Sequence, residues 1–376
     1  MTLGGVLTSA GAVNIDSGGT IALNAAASGT TIDIDATGVT TIAEAGDITS
    51  SGAVTFGANK TGTLTTAGEI TTTDDNVTFT NAVTQSGDVA IDTGSGAGNI
   101  LFKSTVATAD KNLTLDAGSA GNITADSSIT GGGAMTVVDG AVQKYSGAIT
   151  VDSLNIQDAT TSVTLDGAVT TQTTLDINSG GTLIQNKKVI AGTSLDYDAA
   201  TIGINNTITS GTTIDIDASG VTTVAEAGDI TSGGAVTFGA NKSGTLTTAG
   251  EITTSDDDVT FTNAVTQSGN VEIDTGSSGD ILFSSTVATG DNDLQLDAGS
   301  SGNITAASSI TGGGAMTVID GSVQQYTGAI SVDSLDIQDA TSSVTLDGDV
   351  TTETSVDINS GGSLTQNASV SAGSSL

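Results

Sequence analysis

The chain repeats itself over a long distance. Residues 29–195 return as residues 211–376 with one deletion, so that Gly29 corresponds to Gly211 and Leu195 to Leu376. The segment GTLTTAGEITT at 62–72, for example, recurs at 244–254. Such self-similarity is typical of repeat architectures, in which each unit packs on its neighbours. We therefore expect one continuous β-helical rod in three parts: 1–28 as the tail of a preceding repeat, 29–210 as a first copy and 211–376 as an incomplete second copy.

A shorter period lies inside the long one. The six Phe residues form two evenly spaced sets: Phe56, Phe79 and Phe102, then Phe238, Phe261 and Phe283. A second apolar series runs from Ile48 to Ile214 in nearly even steps and then takes one shorter step to Ile230. Nine steps in one long repeat give about 20 residues per turn. We expect an irregular corner at the short last step.

Short segments around these positions alternate apolar and polar residues. Val77-Thr78-Phe79-Thr80 and Leu113-Thr114-Leu115-Asp116 are examples, and this period is typical of strands with one buried face. The intervening segments are rich in Gly, Ser, Asn and Thr, which favour turns. Repeats stacked in one orientation place like residues above each other, so the Phe sets predict stacked ladders. The sequence predicts an all-β parallel β-helix, or solenoid, of about nineteen coils of about 20 residues.

Composition excludes several classes of function. The chain has 42 acidic and seven basic residues and a net charge of −35, which excludes a general nucleic-acid binder and disfavours an anionic membrane partner. It has no His and no Cys, so common catalytic triads and zinc sites cannot be built. No apolar run is long enough for membrane insertion. Pro is absent, as expected where most strands pair on both sides.

Paired carboxylates are the remaining candidates for catalysis. Asp33 with Asp35, Asp74 with Asp75, and the run 256–258 could in principle hydrolyse a glycosidic bond. Acidic pairs recur all along the array, however, and a catalytic site should be unique. We therefore expect solvated strand and turn residues, no catalytic residue and no enzymatic activity.

The same pattern provides candidate metal ligands. Asp33 and Asp35, with their copies Asp215 and Asp217, are expected on the outward side of one strand, about 7 Å apart at Cα. Carboxylates in neighbouring coils could add oxygen ligands for Ca²⁺, the one cofactor considered. The GGxGxD calcium repeat is absent, so diffuse counterions are the default expectation.

Threonine-rich strands raise the hypothesis of ice binding. A lattice-matching face needs Thr in one column through successive coils. We expect the outward residue to change from Thr to Asp, Asn or Gln between coils, which disfavours this hypothesis.

The repeats resemble a known family. Units such as GDITSSGAVTFGA, NVTFTNAVTQSGDVAIDTG and KNLTLDAGSAGNITADSSI, in which a Gly-Asp or Gly-Asn step leads into an alternating strand, are similar to repeats of filamentous haemagglutinin-like giant adhesins. The resemblance implies a right-handed parallel β-helix, exported across a Gram-negative outer membrane, that acts as a surface fibre or adhesin. VNIDSGGT at 13–20 resembles LDINSGGT at 175–182, so we expect a window from a longer array whose export signal lies elsewhere.

Three functions stay open on this basis. The first is a structural extracellular shaft that associates with itself end to end into a filament. The second is an adhesin or glycan-binding module for a host or cell-surface glycan or protein, which should carry a non-repeating aromatic or acidic cluster. Tyr145 and Tyr326 simply repeat, and Tyr197 is the third tyrosine. The third is a β-helical carbohydrate-active enzyme, which should carry a unique acidic constellation.

Overall fold

A computed structural model describes residues 1–375, and Leu376, the last residue of the predicted second copy, lies outside them. The chain divides into two compact units, Met1–Lys188 and Val189–Leu376. Strands are the only regular elements of the described residues. Each unit is a parallel β-solenoid, and the chain holds about nineteen turns of about 20 residues in all. The predicted fold class is thus confirmed, whereas the predicted repeat boundaries stay predictions.

A regular turn carries three short strands. Each strand pairs in parallel with its equivalents one turn before and one turn after, so each unit has three sheets, or faces. We name them after their sequences: the threonine face, the phenylalanine face and the third face.

The strands of the first unit are as follows. Its threonine face consists of Thr2–Leu3, Ile21–Leu23, Val39–Ile42, Thr63–Thr66, Val83–Gln85, Val106–Ala107, Ile129–Thr130, Ile149–Val151 and Val169–Thr171. Its phenylalanine face contains Val13–Ser17, Ile32–Ala36, Val54–Phe56, Val77–Phe79, Ile100–Phe102, Ile123–Ala125 and Thr182–Gln185. Its third face contains Leu7–Thr8, Ala27–Gly29, Ile48–Ser50, Ile70–Thr72, Val89–Asp92, Leu113–Asp116 and Leu175–Ser179. Two long strands, Ala134–Tyr145 and Ser153–Leu165, run through both of the last two faces.

The second unit has the same three faces. Its threonine face consists of Thr201–Ile204, Val221–Val224, Thr245–Thr248, Val265–Gln267, Val287–Gly290, Ile310–Gly312, Ile330–Val332, Val350–Thr352 and Val370–Ala372. Its phenylalanine face consists of Ser194–Ala199, Thr213–Ala218, Val236–Phe238, Val259–Phe261, Ile281–Phe283, Ile304–Ala306, Val323–Tyr326, Ser343–Leu346 and Ser363–Gln366. Its third face consists of Val189–Ala191, Ile208–Ser210, Ile230–Ser232, Glu251–Thr254, Val271–Asp274, Leu294–Asp297, Ala315–Asp320, Ser334–Ala340 and Val356–Ser360.

Alternation along each strand places the core. In Val77–Phe79 the two apolar side chains are buried and Thr78 between them is partly exposed. The same inward positions stack from turn to turn, as in the column Ile48, Ile70 and Ile91. Burial of these columns provides the main hydrophobic stabilisation of each unit.

The irregular corner predicted between Ile214 and Ile230 does not occur. Ile214 pairs with Val236, which is its regular partner in the following turn. Ile230 lies on a different face, between Ile208 and Ile252. All three faces present apolar residues at similar spacing, so spacing alone places residues of two faces in one series.

Glycine allows the turns between strands to stack closely. A Cβ atom on Gly167 would lie 2.0 Å from the carbonyl oxygen of Gly147 in the preceding turn. A side chain at this corner would therefore push successive turns apart, which explains part of the high Gly content.

Candidate functional site

The predicted phenylalanine ladders occur on the phenylalanine face of each unit. In the first unit, the rings of Phe56 and Phe79 have centroids 5.1 Å apart and an interplanar angle of 7°. Those of Phe79 and Phe102 lie 4.7 Å apart at 9°. In the second unit, Phe238, Phe261 and Phe283 stack at 5.3 and 4.8 Å. These are offset stacks at the spacing of parallel strands, so they hold adjacent turns in register.

A loop folded over carboxylates forms the candidate site of the first unit. Residues 57–62 close over the strand Ile32–Ala36. Asn59 donates two hydrogen bonds to the carboxylate of Asp35. Its backbone N–H lies 3.2 Å from Oδ1, and its side-chain Nδ2 lies 2.7 Å from Oδ2. Lys60 Nζ lies 2.7 Å from Oδ1 of Asp16, which is one turn before Asp35 and two turns before Lys60. Asn81, in the turn after, donates to the Lys60 carbonyl oxygen at 2.8 Å. The loop therefore links four successive turns.

The second unit repeats this arrangement with residues 239–244. Asn241 donates its backbone N–H and its side-chain amide to Asp217, the latter at 2.7 Å. Lys242 Nζ lies 3.0 Å from Asp198 Oδ1, and Asn263 donates to the Lys242 carbonyl oxygen at 2.7 Å. We call the two arrangements the lysine clasps.

The carboxylates under each clasp perturb one another. Burial first, then the neighbouring carboxylates of Asp217 and Asp198, raises the pKa of Asp215 to about 6. In the first unit, burial and the charges of Asp35 and Asp16 raise the pKa of Asp33 in the same way. One carboxylate oxygen of Asp33 and one of Asp215 are buried without a hydrogen-bond partner. The clasp thus holds a partly desolvated acidic cluster beside one ammonium group.

Asp33 and Asp35, like Asp215 and Asp217, lie on the outward side of their strands as predicted, but the expectation that they are solvated is wrong for Asp35 and Asp217. Asp35 and Asp217 are each only 1% exposed, because the clasp loop covers them and uses their oxygens. Within residues 1–375, no group of three or more acidic side chains is arranged to hold a metal ion. The ammonium group of Lys60 or Lys242 supplies the nearby positive charge. Diffuse counterions stay the prediction and Ca²⁺ its alternative, for which residues 1–375 present no ligand set.

The other carboxylate candidates lie in turns. Asp74 and Asp256 have positive φ angles of 58° and 65°, and each accepts hydrogen bonds from the following turn, at 2.6 Å from Gly96 N and Ser277 N. The Ser277 hydroxyl and N–H lower the pKa of Asp256. These contacts give both residues a role in ordering stacked turns.

The threonine faces differ from the sequence-based expectation. Pairing places one outward residue per turn in a single column, and none of these residues is buried. In the first unit the column is Thr2, Ala22, Thr41, Thr65, Thr84, Ala107, Thr130, Thr150 and Thr170. In the second it is Gly203, Thr223, Thr247, Thr266, Ala288, Thr311, Ser331, Thr351 and Ser371. The expected change from Thr to Asp, Asn or Gln is therefore wrong for these columns.

Sequence reasoning also missed an acidic groove on the second unit. Its volume is about 340 Å³, and its lining includes the carboxylates of Glu226, Asp229, Glu251, Glu272 and Asp293. The first copy has Ala90 where Glu272 stands and Asn112 where Asp293 stands. A comparison of the two copies position by position would have revealed this difference.

The three tyrosines are core residues. Tyr145, Tyr197 and Tyr326 are at most 1% exposed. The hydroxyl groups of Tyr145 and Tyr326 donate to the side chains of Gln143 and Gln324 at 3.1 Å. They therefore provide no surface platform for stacking on a sugar ring.

One sequence signal does point to the clasps. Lys60 is the only lysine that recurs, as Lys242, although its contact with a carboxylate two turns back in the chain could not be read from the sequence. No helix that could cross a membrane occurs in the described residues. Comparison with known proteins finds no matching family model, no matching curated protein and no matching solved structure.

Proposed function

We propose that this chain is a segment of a stiff extracellular shaft, part of a giant repetitive surface protein of the filamentous haemagglutinin-like kind. The observation that supports this most is the uninterrupted stacking within each unit, where all three faces continue from turn to turn. Such stacking resists bending and leaves proteases few open loops. A Gram-negative cell surface is the location that the sequence resemblance suggests.

Association end to end belongs to this proposal. The outermost turn of a solenoid presents unpaired N–H and C=O groups, which can pair with a further strand. A strand of another copy could extend the sheets in this way.

Electron cryomicroscopy of the native material tests the shaft function. We expect continuous threads on the cell surface, and protease treatment of intact cells should release fragments of the repeats. Separate globular particles, or protection of the chain until the cells are lysed, would contradict the proposal.

A second candidate, a binding module, is favoured by one observation. In the acidic groove of the second unit, Glu272 and Asp293 have no carboxylate counterpart in the first copy, and a non-repeating acidic pair is a feature expected of such a module. The other three carboxylates of the groove recur, and Asn270 stands where the first copy has Asp88. Glycan arrays that compare the wild-type chain with the double variant Glu272→Ala and Asp293→Asn, which restores the first-copy residues, test this function. Binding that depends on these two residues would favour the module over the shaft.

A further inference from the structure

The threonine faces are uncharged surfaces on a strongly acidic protein. Each consists of nine strands, and no residue in any of these strands is charged. The outward residues are Thr, Ser, Ala and Gly at nearly every turn. Strand spacing makes each face about 38 Å long.

Carboxylates are concentrated on the other two faces. On the third face of the second unit, Asp274, Asp297 and Asp320 lie in register on successive turns, and Glu251 pairs with Glu272 beside them. The phenylalanine faces carry the acidic clusters under the clasps. With a net charge of −35, two copies repel each other wherever these faces approach.

The size of a threonine face suits a weak protein interface. The strands of each face are two to four residues long, so a face about 10 Å wide and about 38 Å long offers about 400 Å² per partner, or about 800 Å² in total, which is the size of a small and weak interface. The Thr methyl groups and Ala side chains provide apolar area. The hydroxyl groups must exchange water for a partner, which keeps the affinity modest.

We propose that the threonine face binds the threonine face of a second copy, side by side. The distribution of charge indicates that the partner is a second copy. Two chains with the same strong negative charge can meet at this surface without placing carboxylates against each other. This lateral association is separate from end-to-end contact and does not rest on the shaft function.

Sedimentation at increasing salt tests the proposal. Since salt screens repulsion between the acidic faces but leaves the neutral contact unchanged, the dimer should become more abundant between about 20 mM and about 500 mM NaCl. An interface built on ion pairs would weaken over the same range. A chain that stays monomeric at every salt and protein concentration tested would overturn the proposal.

Charge placed on the threonine faces should weaken association. The quadruple variant Thr65→Asp, Thr84→Asp, Thr247→Asp and Thr266→Asp puts two carboxylates on each face. We expect a dimer dissociation constant at least about tenfold higher, because face-to-face packing would bury unpaired like charges.

A charge-matched control distinguishes the effect of charge on the threonine face from the effect of a higher net charge. Thr78→Asp, Thr124→Asp, Thr260→Asp and Thr305→Asp add the same four charges at partly exposed positions of the phenylalanine faces. This variant should associate nearly as well as the wild type at about 500 mM salt. Equal loss of association in both variants would overturn the proposal.

A cysteine cross-link gives a test that does not depend on stability. Thr84 is the central residue of the nine in the first column, and the chain has no cysteine of its own. Oxidation should link Thr84→Cys chains into dimers and leave Thr124→Cys chains monomeric. The opposite result would overturn the proposal, as would thermal hysteresis from a protein that stays monomeric, because ice would then be the occupant.

Discussion

At the scale of single residues, the lysine clasps show how an acidic repeat protein tolerates partly buried carboxylates. Asp217 has its charge satisfied by two donors from Asn241, whereas Asp215 has a buried oxygen without a partner. The ammonium group of Lys242 lies against Asp198 and not against Asp215. Asp215 therefore carries a desolvation cost that the backbone hydrogen bond from Ile216 offsets only in part, and its protonation should relieve that cost.

Replacing Asp215 by Asn should change how stability depends on pH. The folded state raises the pKa of Asp215 to about 6, whereas the unfolded value is about 3.9. Stability linked to this proton is present below about pH 4 and is lost as the pH rises through about 6. Asp215→Asn should therefore melt at a higher temperature than the wild type at about pH 7.5, and at a similar temperature near pH 4.

Thermal melting followed by circular dichroism measures this effect. Glu226→Gln removes one charge from an exposed position of the same unit and should change the melting temperature much less. A variant that is less stable than the wild type at about pH 7.5 would show that Asp215 makes a favourable contact as an anion.

At the scale of elements, the stacked Phe residues hold the turns of one face in register. The inward column continues beyond the rings, from Phe102 through Ala125 to Tyr145. The small Ala side chain lies between two aromatic ones, and the second unit repeats this order with Phe283, Ala306 and Tyr326. Side-chain volumes are thus matched from turn to turn, as dense packing requires.

Truncating the central ring should cost more than truncating an end ring. Phe79 stacks on two rings and Phe56 on one. Phe79→Ala should destabilise the first unit by about 3–5 kcal/mol, Phe56→Ala by less, and Phe79→Leu by about 1 kcal/mol. Hydrogen exchange of the amides in residues 54–102 measures the loss.

The second unit provides the internal control for this experiment. Exchange at its own Phe strands, residues 236–283, should be unchanged in Phe79→Ala. Equal costs for Phe79→Ala and Phe56→Ala would show that burial alone, and not stacking, determines the contribution of each ring.

Sequence and structure agree on these elements for a definite reason. The strands, their parallel stacking and the Phe ladders follow from alternation and spacing, which are local properties of the chain. The clasps could not be derived in this way, because Lys60 reaches Asp16 across two turns through a loop of Gly, Asn and Thr. Such composition predicts a turn but not the direction in which it folds.

In the molecule as a whole, the negative charge affects both stability and association. The 42 acidic residues repel one another in the folded state, so screening should stabilise the protein and also promote lateral contact. The threonine faces interrupt the acidic surface of each unit. Repulsion between the carboxylates therefore opposes association of two copies through the acidic faces and leaves the threonine faces as the surfaces of contact.

Removal of divalent metals should have little effect on stability. Lysine ammonium groups neutralise part of each carboxylate cluster, and diffuse counterions account for the rest, so chelation should shift the melting temperature by no more than about 2 °C. Calorimetry with and without a chelator measures this shift. A fall of tens of degrees would instead reveal tightly bound structural calcium.

Residue order alone shows that the chain is all-β, repetitive, acidic and stacked in parallel, because alternation with a period of two and repetition with a period of about twenty residues are properties of the sequence. Which residues share a face follows only from the folded arrangement. Three faces with similar apolar spacing cannot be distinguished along the sequence, so spacing neither separates Ile214 from Ile230 nor reveals the threonine columns. Register between turns is set by packing of the whole core, and it alone separates the neutral faces from the acidic ones.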